Sequence, residues 1–359
     1  MPILNQSSHS VSESLILEHL PELNHRHLTS SASTNSELIA DVQNGILNAT
    51  EMHLLTAETQ SAGRGQHGRS WQSPRGNVYL SLYHPVHIPV SGLLSLIIGV
   101  ELAKMPVIQM LNEQLHTERL TSIGVKWAND LGFYQSQNQS QNQSQNQSQN
   151  QSQNQSQNQS QNQSQNQPQS QSALDSADVH NTELDQQTLP FNKLAGILIE
   201  PVSQAGKLVG VVIGVGLNVQ ATPTLTAQTS EGMSYQAISL QDIAETLQPK
   251  AQAANLPSLR VLYQQMSKAL MAAMTRFEHL SIEKPTGHRY YLDSFLKQFD
   301  SMDALSELRL RVTQEHNGQT NILTGHACGI DTHGCLQLRQ DNGKISALFT
   351  GRIDVIQTT

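Results

Sequence analysis

The spacing of apolar and polar residues along the chain predicts several β-strands. Apolar runs at 53–57 and 77–83 have strand length, and 209–219 is a longer apolar run whose glycines allow close packing. From Leu305 onward, short alternating strands are separated by glycine-containing turns. The last part of the chain is therefore predicted to form a small β-barrel.

Other segments have helical patterns. A helix is predicted directly after Ser33, which is a candidate N-cap, and Gly45 is expected to end it. Residues 91–115 predict a buried apolar helix that Pro106 breaks or kinks, and 241–300 form a second helical region.

A polar repeat interrupts the pattern. Residues 135–166 are eight copies of QSQN, and the polar run continues to about Pro190. Such a segment buries too little apolar surface to offset its ordering entropy, so 135–190 is expected to be disordered. The flanks 123–134 and 191–202 are β-rich, which predicts a β-hairpin whose turn has been expanded.

Composition narrows the class of protein. A net charge of −8 and a pI near 6.0 argue against a general nucleic-acid binder. Cys328 and Cys335 do not form a disulfide framework and suit a reducing cytoplasm. The N-terminus lacks a secretory pattern, and the apolar run 93–100 is too short to span a bilayer. The fifteen histidines are scattered and predict no metal site. We therefore expect a cytoplasmic protein without a membrane or nucleic-acid partner.

The stretch GRGQHGR begins with a G-x-G-x-x-G pattern at Gly63–Gly68. A dinucleotide-binding loop needs a following helix and a later acidic residue, and neither is present here. Arg64, Arg69 and Arg75 beside flexible backbone suit an anion instead, and a solvated surface turn is the alternative.

Several stretches in one order resemble the biotin–protein ligases, also named biotin–acetyl-CoA-carboxylase ligases. They read SASTNSEL, TQSAGRGQHGRSW, VKWANDL, and NKLAGILIE followed by VIGVGLNV. The tail GHACGIDTHGCLQLRQ…FTGRIDV resembles that family's small SH3-like C-terminal domain.

The resemblance implies an α+β fold. The catalytic domain is expected to have a mixed, mostly antiparallel sheet with helices, similar to class II synthetases, followed by the SH3-like β-barrel. The expected boundaries are 1–27 for an N-terminal extension, 28–302 for the catalytic domain with the insert 135–190, and 303–359 for the barrel.

The resemblance also implies a two-step reaction. Biotin's carboxylate attacks the α-phosphate of ATP, with Mg²⁺ present, and gives biotinyl-5′-AMP and pyrophosphate. A lysine of the biotin carboxyl carrier protein of acetyl-CoA carboxylase then takes the biotinyl group. The first step joins two anions, so it needs cationic side chains and backbone donors more than a protein nucleophile.

Residue roles follow from the matching motifs. Catalytic roles are implied for Lys193, Arg64, Lys126 and Asp130. Biotin contacts are implied for Ser33, Thr34, Asn35, Gln60, Gly63, Arg64, Gly65, Gln66, Lys193 and Gly196. Nucleotide contacts are implied for Arg64, Gln66, Arg69, Trp71, Asn129 and Asn218. No protein ligand for Mg²⁺ is certain, and Asp130 and Asn218 are the candidates to assist. On a continuous strand, Lys126 and Asp130 share a face with Ala128 between them.

The sequence also departs from the family. Its loop often reads GRGRRGR, so Gln66 and His67 replace two arginines here, and weaker retention of the adenylate is expected. Only about 28 residues precede the match, which predicts a ligase that is not a DNA-binding repressor. A lipoate or octanoate ligase, or a biotin-binding protein without catalysis, stays an alternative. A homodimer stays open as well.

Overall fold

The computed structural model describes residues 23–135, 188–222, 235–247, 255–281, 288–316 and 318–357. Most of the predicted N-terminal extension and of the predicted disordered insert lies outside these residues.

Within these residues, the larger of two sheets has eight strands in the order β1-β2-β3-β8-β7-β5-β4, with β9 paired to β7. Neighbours are antiparallel except for the parallel pairs β1–β2 and β7–β9. The strands are β1 (Asn24–Leu28), β2 (His53–Ala57), β3 (Val78–Pro85), β4 (Gly124–Lys126), β5 (Asp130–Tyr134), β7 (Phe191–Gln204), β8 (Lys207–Leu217) and β9 (Tyr235–Ala237). The predicted mixed, mostly antiparallel sheet is confirmed.

Six α-helices accompany the sheets among the described residues. They are α1 (Thr34–Gln43), α2 (Gly92–Ala103), α3 (Pro106–Thr117), α4 (Leu240–Leu247), α5 (Leu259–Ser281) and α6 (His288–Asp300). The predicted cap of α1 is confirmed, because the Ser33 side chain accepts a hydrogen bond from the backbone N–H of Ser36. Gly45 follows α1 with a φ of 71°, a conformation that favours glycine.

The predicted break at Pro106 is confirmed by a bend of 69° between α2 and α3. In the described part of the chain, no single helix is long and apolar enough to cross a membrane, and α2 with α3 meets that test only as a bent pair.

The main core lies between one face of the large sheet and the helices α2 and α5. Leu82 and Ile213 from the sheet and Ile97 and Leu270 from the helices are all fully buried. Each such side chain contributes about 1.5–3 kcal/mol relative to an exposed one. At Gly99, a Cβ atom would come 2.7 Å from Val125 Cγ1, so this glycine lets α2 approach β4 closely.

In the described parts of the chain, the second sheet contains six strands in the order β13-β12-β11-β10-β14-β6, all antiparallel. Its strands are β6 (Thr188–Leu189), β10 (Arg309–His316), β11 (Gln319–Ile330), β12 (Leu336–Arg339), β13 (Ile345–Leu348) and β14 (Arg352–Ile356). The short C-terminal strands predicted from the sequence are confirmed, and this β-rich region is compatible with an SH3-like domain.

The predicted disordered insert 135–190 extends too far at its C-terminal end. Thr188 and Leu189 form β6 and pair with Ile356 and Val355 of β14. Leu189 also packs against the hydrophobic core. Backbone pairing with β14 and the partial burial of the Leu189 side chain therefore give Thr188 and Leu189 a defined structure.

The interpretation that Lys126 and Asp130 share a face of the same strand is wrong. A turn separates β4 from β5, and the two strands form a tight hairpin in which Lys126 lies opposite Asp130. The turn is held from outside: Ser95 Oγ donates to Ala128 O at 2.8 Å, and Trp127 Nε1 donates to Gly334 O at 2.8 Å. Lys126 and Asp130 still share a face, but through pairing across two strands.

The predicted pairing of the two flanks is confirmed for β5, and the expanded turn that was predicted between them lies outside the described residues. β5 runs antiparallel to β7, and Tyr134 pairs with Phe191 at the base of the insert.

Candidate active site

The N-terminus of α1 provides neutral polar groups at the buried end of a pocket. The N–H and Oγ1 of Thr34 donate to Gln60 Oε1 at 2.9 and 3.2 Å. Gln60 Nε2 in turn donates to Ser73 Oγ at 3.0 Å. Capping by Ser33 fixes the start of the helix, so these side chains are held in one arrangement.

Asn35 completes this polar group. Its Nδ2 donates to Leu198 O at 3.3 Å and to Glu200 Oε2 at 3.0 Å, and its Oδ1 lies 2.5 Å from Ser81 Oγ, which donates to it. Gly214 lies directly against the Asn35 amide, where any Cβ atom would overlap it. A glycine on β8 is therefore required for the amide to occupy this position.

The GRGQHGR loop folds back on itself. Trp71 N donates to Gly63 O at 2.8 Å, and Gly65 N donates to Arg69 O at 2.7 Å. A short 3₁₀ turn occupies Gln66–Gly68, and β3 follows instead of a helix. The loop is therefore an anion-loop candidate and not a dinucleotide-binding turn, as the sequence context indicated.

Arg64 lies at the solvent side of the pocket. Its Nη2 is 2.5 Å from Glu200 Oε2, and the side chains are 41% and 25% exposed respectively. This guanidinium is thus accessible to a ligand, but it is held by a carboxylate of the protein itself.

Trp71 lies over two glycines of neighbouring strands. A Cβ atom at Gly216 would be 2.6 Å from the indole Nε1, and one at Gly196 would be 3.0 Å from Cζ3. The indole Nε1 is buried, and no hydrogen-bond partner for it exists within the described residues. The two glycines therefore create the space in which this ring lies.

Two lysines share one carboxylate beside the indole. Lys193 Nζ is 2.7 Å from Asp130 Oδ1, and 5.3 Å from the centre of the Trp71 ring. Tyr235 OH donates to Asp130 Oδ2 at 3.1 Å and accepts from Lys126 Nζ at 2.9 Å. We refer to Lys193, Asp130, Tyr235 and Lys126 as the lysine–carboxylate network.

Burial sets the charge states in this network. Lys126 is only 4% exposed, and its burial lowers the pKa to about 8, with Asp130 opposing this effect and Lys193 adding to it. Burial, reinforced by Asp130, raises the pKa of Tyr235 well above its ordinary value. Its hydroxyl therefore keeps its proton and can donate to the carboxylate.

Two asparagines position backbone around the network. Asn218 Nδ2 donates to Lys193 O at 3.4 Å and to Ile238 O at 3.2 Å. Asn129 Nδ2 donates to Ile197 O at 2.9 Å. The Asn129 amide thus connects the turn after β4 to β7, and the Asn218 amide connects the end of β8 to β7 and to the residue after β9.

The pocket brings together most of the residues predicted from the sequence. It is lined by Ser33, Thr34, Asn35, Gln60, Arg64, Gly65, Gln66, Trp71, Asn129, Lys193 and Gly196. The remaining predicted residues, which do not line it, are Gly63, Arg69, Lys126, Asp130 and Asn218. Of these, Lys126 and Asp130 adjoin the pocket through Lys193.

Other residues of the site were not predicted. They are Tyr79, Ser81, Glu200, Gly214, Gly216 and Tyr235. Glu200 could have been identified from the sequence, because it is a lone carboxylate in an apolar run and shares a strand face with Gly196. Tyr235 had none, because its position depends on a strand pairing distant in sequence.

The residues present fit a magnesium ion that arrives with a nucleotide better than a protein-built metal site. No cluster of three or more His, Cys, Asp or Glu suited to a metal occurs within the described ranges. Asp130 is engaged by Lys193 and Tyr235, whereas Asn218 Oδ1 is buried without a partner there. Mg²⁺ commonly takes one or two protein oxygens and fills its shell with phosphates and water.

Comparison with known sequences gives a consistent picture. Residues 30–140 match the Biotin/lipoate A/B protein ligase family. A bifunctional ligase/repressor BirA of Salmonella typhimurium is 27% identical over 302 residues, which cover 83% of this chain and 65% of that protein. The corresponding protein of Escherichia coli is 25% identical over the same coverage. The chain thus spans somewhat less than two thirds of the length of these relatives.

The fold has a solved counterpart. A biotin protein ligase from Aquifex aeolicus in complex with biotin and ATP aligns with 93% of this chain and 99% of its own, with a TM-score of 0.54 and 15% identity. This likeness shows a shared fold. The resemblance to biotin–protein ligases that the motifs indicated is confirmed.

Proposed function

We propose that this chain, which carries a biotin/lipoate A/B protein ligase domain, is an ATP-dependent biotin–protein ligase. One observation carries the proposal. A single pocket is lined both by buried neutral amide and hydroxyl groups, including those of Thr34 and Asn35, and by the ammonium of Lys193 and the guanidinium of Arg64. Biotin needs both kinds of partner, because it has a neutral cyclic urea at one end and a carboxylate at the other.

The neutral groups of the pocket suit the urea. A cyclic urea offers two N–H donors and one carbonyl acceptor. Thr34 and Ser81 provide hydroxyl groups, and Asn35 and Gln60 provide amides, all prearranged by hydrogen bonds to one another. Their contacts with biotin remain proposals, as do the roles of Ser33 and Gly63.

The cationic groups of the pocket suit adenylation. A carboxylate oxygen of biotin forms a bond to the α-phosphorus of ATP while the bond to pyrophosphate breaks. Lys193, held by Asp130, and Arg64 reduce the repulsion between these two anions. Trp71, Gln66 and Arg69 are proposed to contact the nucleotide. Mg²⁺, bound with the phosphates and assisted by Asn218, would supply further neutralising charge.

The second half-reaction is proposed to modify a carrier protein. The side-chain amine of an acceptor lysine forms a bond to the acyl carbon, AMP leaves, and the amine loses a proton. The proposed acceptor is the biotin carboxyl carrier protein of acetyl-CoA carboxylase. The proposed compartment is the cytoplasm, where free thiols such as Cys328 and Cys335 persist.

ATP–pyrophosphate exchange tests the first half-reaction. The full chain is incubated with Mg²⁺, ATP and labelled pyrophosphate, and the only variable is biotin, lipoate or octanoate. We expect exchange that depends on biotin. Exchange driven by lipoate or octanoate would assign the chain to the sister activity, and binding of biotin without any exchange would leave a binding protein.

Transfer to a carrier domain tests the second half-reaction. Purified carrier domain is incubated with enzyme, biotin and ATP, and its mass is measured. A matched carrier whose acceptor lysine is replaced by arginine is the control. We expect a mass increase of one biotinyl group in the first carrier and none in the second.

A further inference from the structure

We propose that Tyr235 is a positioning residue of this active site, whose hydroxyl joins Lys126 to Asp130 and so holds Asp130 against Lys193. The proposal rests on the proposed function, because it concerns how the same site holds its lysine side chains in position. Tyr235 belongs to none of the motifs that indicated the family.

The strand that carries Tyr235 is fixed to the strand that carries Lys193. β9 runs parallel to β7, with Tyr235 opposite Phe191 and Ala237 opposite Lys193. Ile238 N donates to Lys193 O at 3.1 Å, and the Asn218 amide bridges the carbonyls of both residues. The hydroxyl of Tyr235 therefore has a defined position relative to Lys193.

The hydroxyl uses both of its hydrogen-bonding capacities inside the network. It donates to Asp130 Oδ2 at 3.1 Å and accepts from Lys126 Nζ at 2.9 Å. Asp130 Oδ1 is left to Lys193 at 2.7 Å. Across the described residues, the ammonium of Lys126 and the carboxylate of Asp130 are hydrogen-bonded through this hydroxyl and not directly. One oxygen of the carboxylate thus pairs directly with the Lys193 ammonium, and the other is linked to the Lys126 ammonium through the hydroxyl.

The surroundings of Lys126 make this link important. Its ammonium lies 4.8 Å from the centre of the Phe191 ring and 4.2 Å from that of Tyr235. The charged groups that act on it are Asp130, Lys193, Asp354 and Arg69. Asp130 and Asp354 favour its charged form, whereas Lys193, Arg69 and burial disfavour it. The hydroxyl is the neutral acceptor that keeps a buried ammonium hydrogen-bonded.

Removing the Tyr235 hydroxyl is expected to lower the pKa of Lys126. In Tyr235→Phe the ring remains, but Lys126 loses its acceptor and Asp130 loses a donor. A buried ammonium without an acceptor gives up its proton more readily, so the pKa of Lys126 falls below about 8. The charge of Lys126 is present below its pKa and lost above it. The positive charge of Lys126 is therefore lost at a lower pH in Tyr235→Phe than in the natural chain.

The kinetic test measures biotin-dependent pyrophosphate exchange across the pH range on both sides of 8. For Tyr235→Phe we expect a loss of roughly 10-fold in kcat near pH 8, a smaller loss at lower pH, and little change in KM for biotin. The matched control is Tyr134→Phe. Tyr134 is 5% exposed and packs against the same Phe191 ring at 5.1 Å. Equal pH profiles for the two variants would overturn the proposal.

A second variant tests whether Tyr235 acts through Lys126. Lys126→Met removes the ammonium and lowers exchange by itself. We expect the double variant Tyr235→Phe with Lys126→Met to be within about 2-fold of Lys126→Met alone, because the two changes remove one unit. Fully multiplicative losses would refute a shared role.

An NMR titration separates this proposal from the proposed function. The chain is labelled with ¹³C and ¹⁵N at lysine, and the resonance absent in Lys126→Met is assigned to Lys126. We expect its titration midpoint to be lower in Tyr235→Phe than in the natural chain and unchanged in Tyr134→Phe. An unchanged midpoint in Tyr235→Phe overturns the proposal whether or not the enzyme is active. Absence of exchange with a shifted midpoint overturns the proposed function and supports the link.

Discussion

The ion pair between Arg64 and Glu200 leads to a prediction about substrate affinity. The guanidinium proposed to receive biotin's carboxylate is already 2.5 Å from a carboxylate of the protein. The same Glu200 oxygen accepts from Asn35 Nδ2 at 3.0 Å. Substrate and Glu200 therefore compete for one cation. Glu200→Gln removes the competing charge and retains an oxygen that can accept from Asn35.

The magnitude follows from the exposure of the pair. Side chains that are 41% and 25% exposed belong to the class of solvent-screened ion pairs, whose contribution is about 0.2–1 kcal/mol. Because about 1.4 kcal/mol corresponds to tenfold in affinity, releasing Arg64 lowers KM for biotin by roughly 1.4- to 5-fold. The kcat of the exchange reaction is expected to change less.

The assay is pyrophosphate exchange with biotin titrated at saturating ATP. Glu58→Gln is the matched control, because Glu58 forms a comparable pair with Arg75 at 2.5 Å, and neither residue lines the pocket. We expect no change in KM for biotin in that control. A rise in KM for biotin in Glu200→Gln would show that Glu200 assists the substrate, and would refute the competition described here.

Further predictions concern the remaining parts of the site. Lys193→Gln should lower kcat/KM for exchange by about 100-fold or more, with a thermal melt as the check on folding. Gly216→Ala places a Cβ atom 2.6 Å from Trp71 Nε1, so KM for ATP should rise more than KM for biotin. Gln66→Arg adds a positive charge to the GRGQHGR loop and should slow release of labelled biotinyl-AMP, measured by filter retention. Deleting 136–187 should leave exchange within about 2-fold, because closing a loop depends only weakly on its length.

Features with a local cause could be predicted from the sequence. Ser33 begins α1 because its side chain caps the helix, and Pro106 ends one helix and begins another because its ring cannot continue the first. The strands β2 and β3 were visible as short apolar runs. The residues of the pocket could be predicted because several short motifs, each weak evidence alone, occur together in the order typical of one family.

Features created by pairing between distant segments could not be predicted. The turn between Lys126 and Asp130 depends on Ser95 and Gly334, which contact it from α2 and from the turn between β11 and β12. Tyr235 reaches Asp130 only because β9 adds to the edge of β7. The local pattern of apolar and polar residues carries no information about these contacts. Sequence reasoning therefore put Lys126 and Asp130 on one strand and did not identify Tyr235.

The base of the QSQN repeat is held at fixed points of the structure. Tyr134 pairs with Phe191 across β5 and β7, and Leu189 pairs with Val355 in the second sheet. Each QSQN unit added or removed would change the length of the chain between those points by four residues. Doubling the length of such a connection costs only about 0.6 kcal/mol. The number of QSQN units can therefore change while every registered pair of these strands keeps its partner.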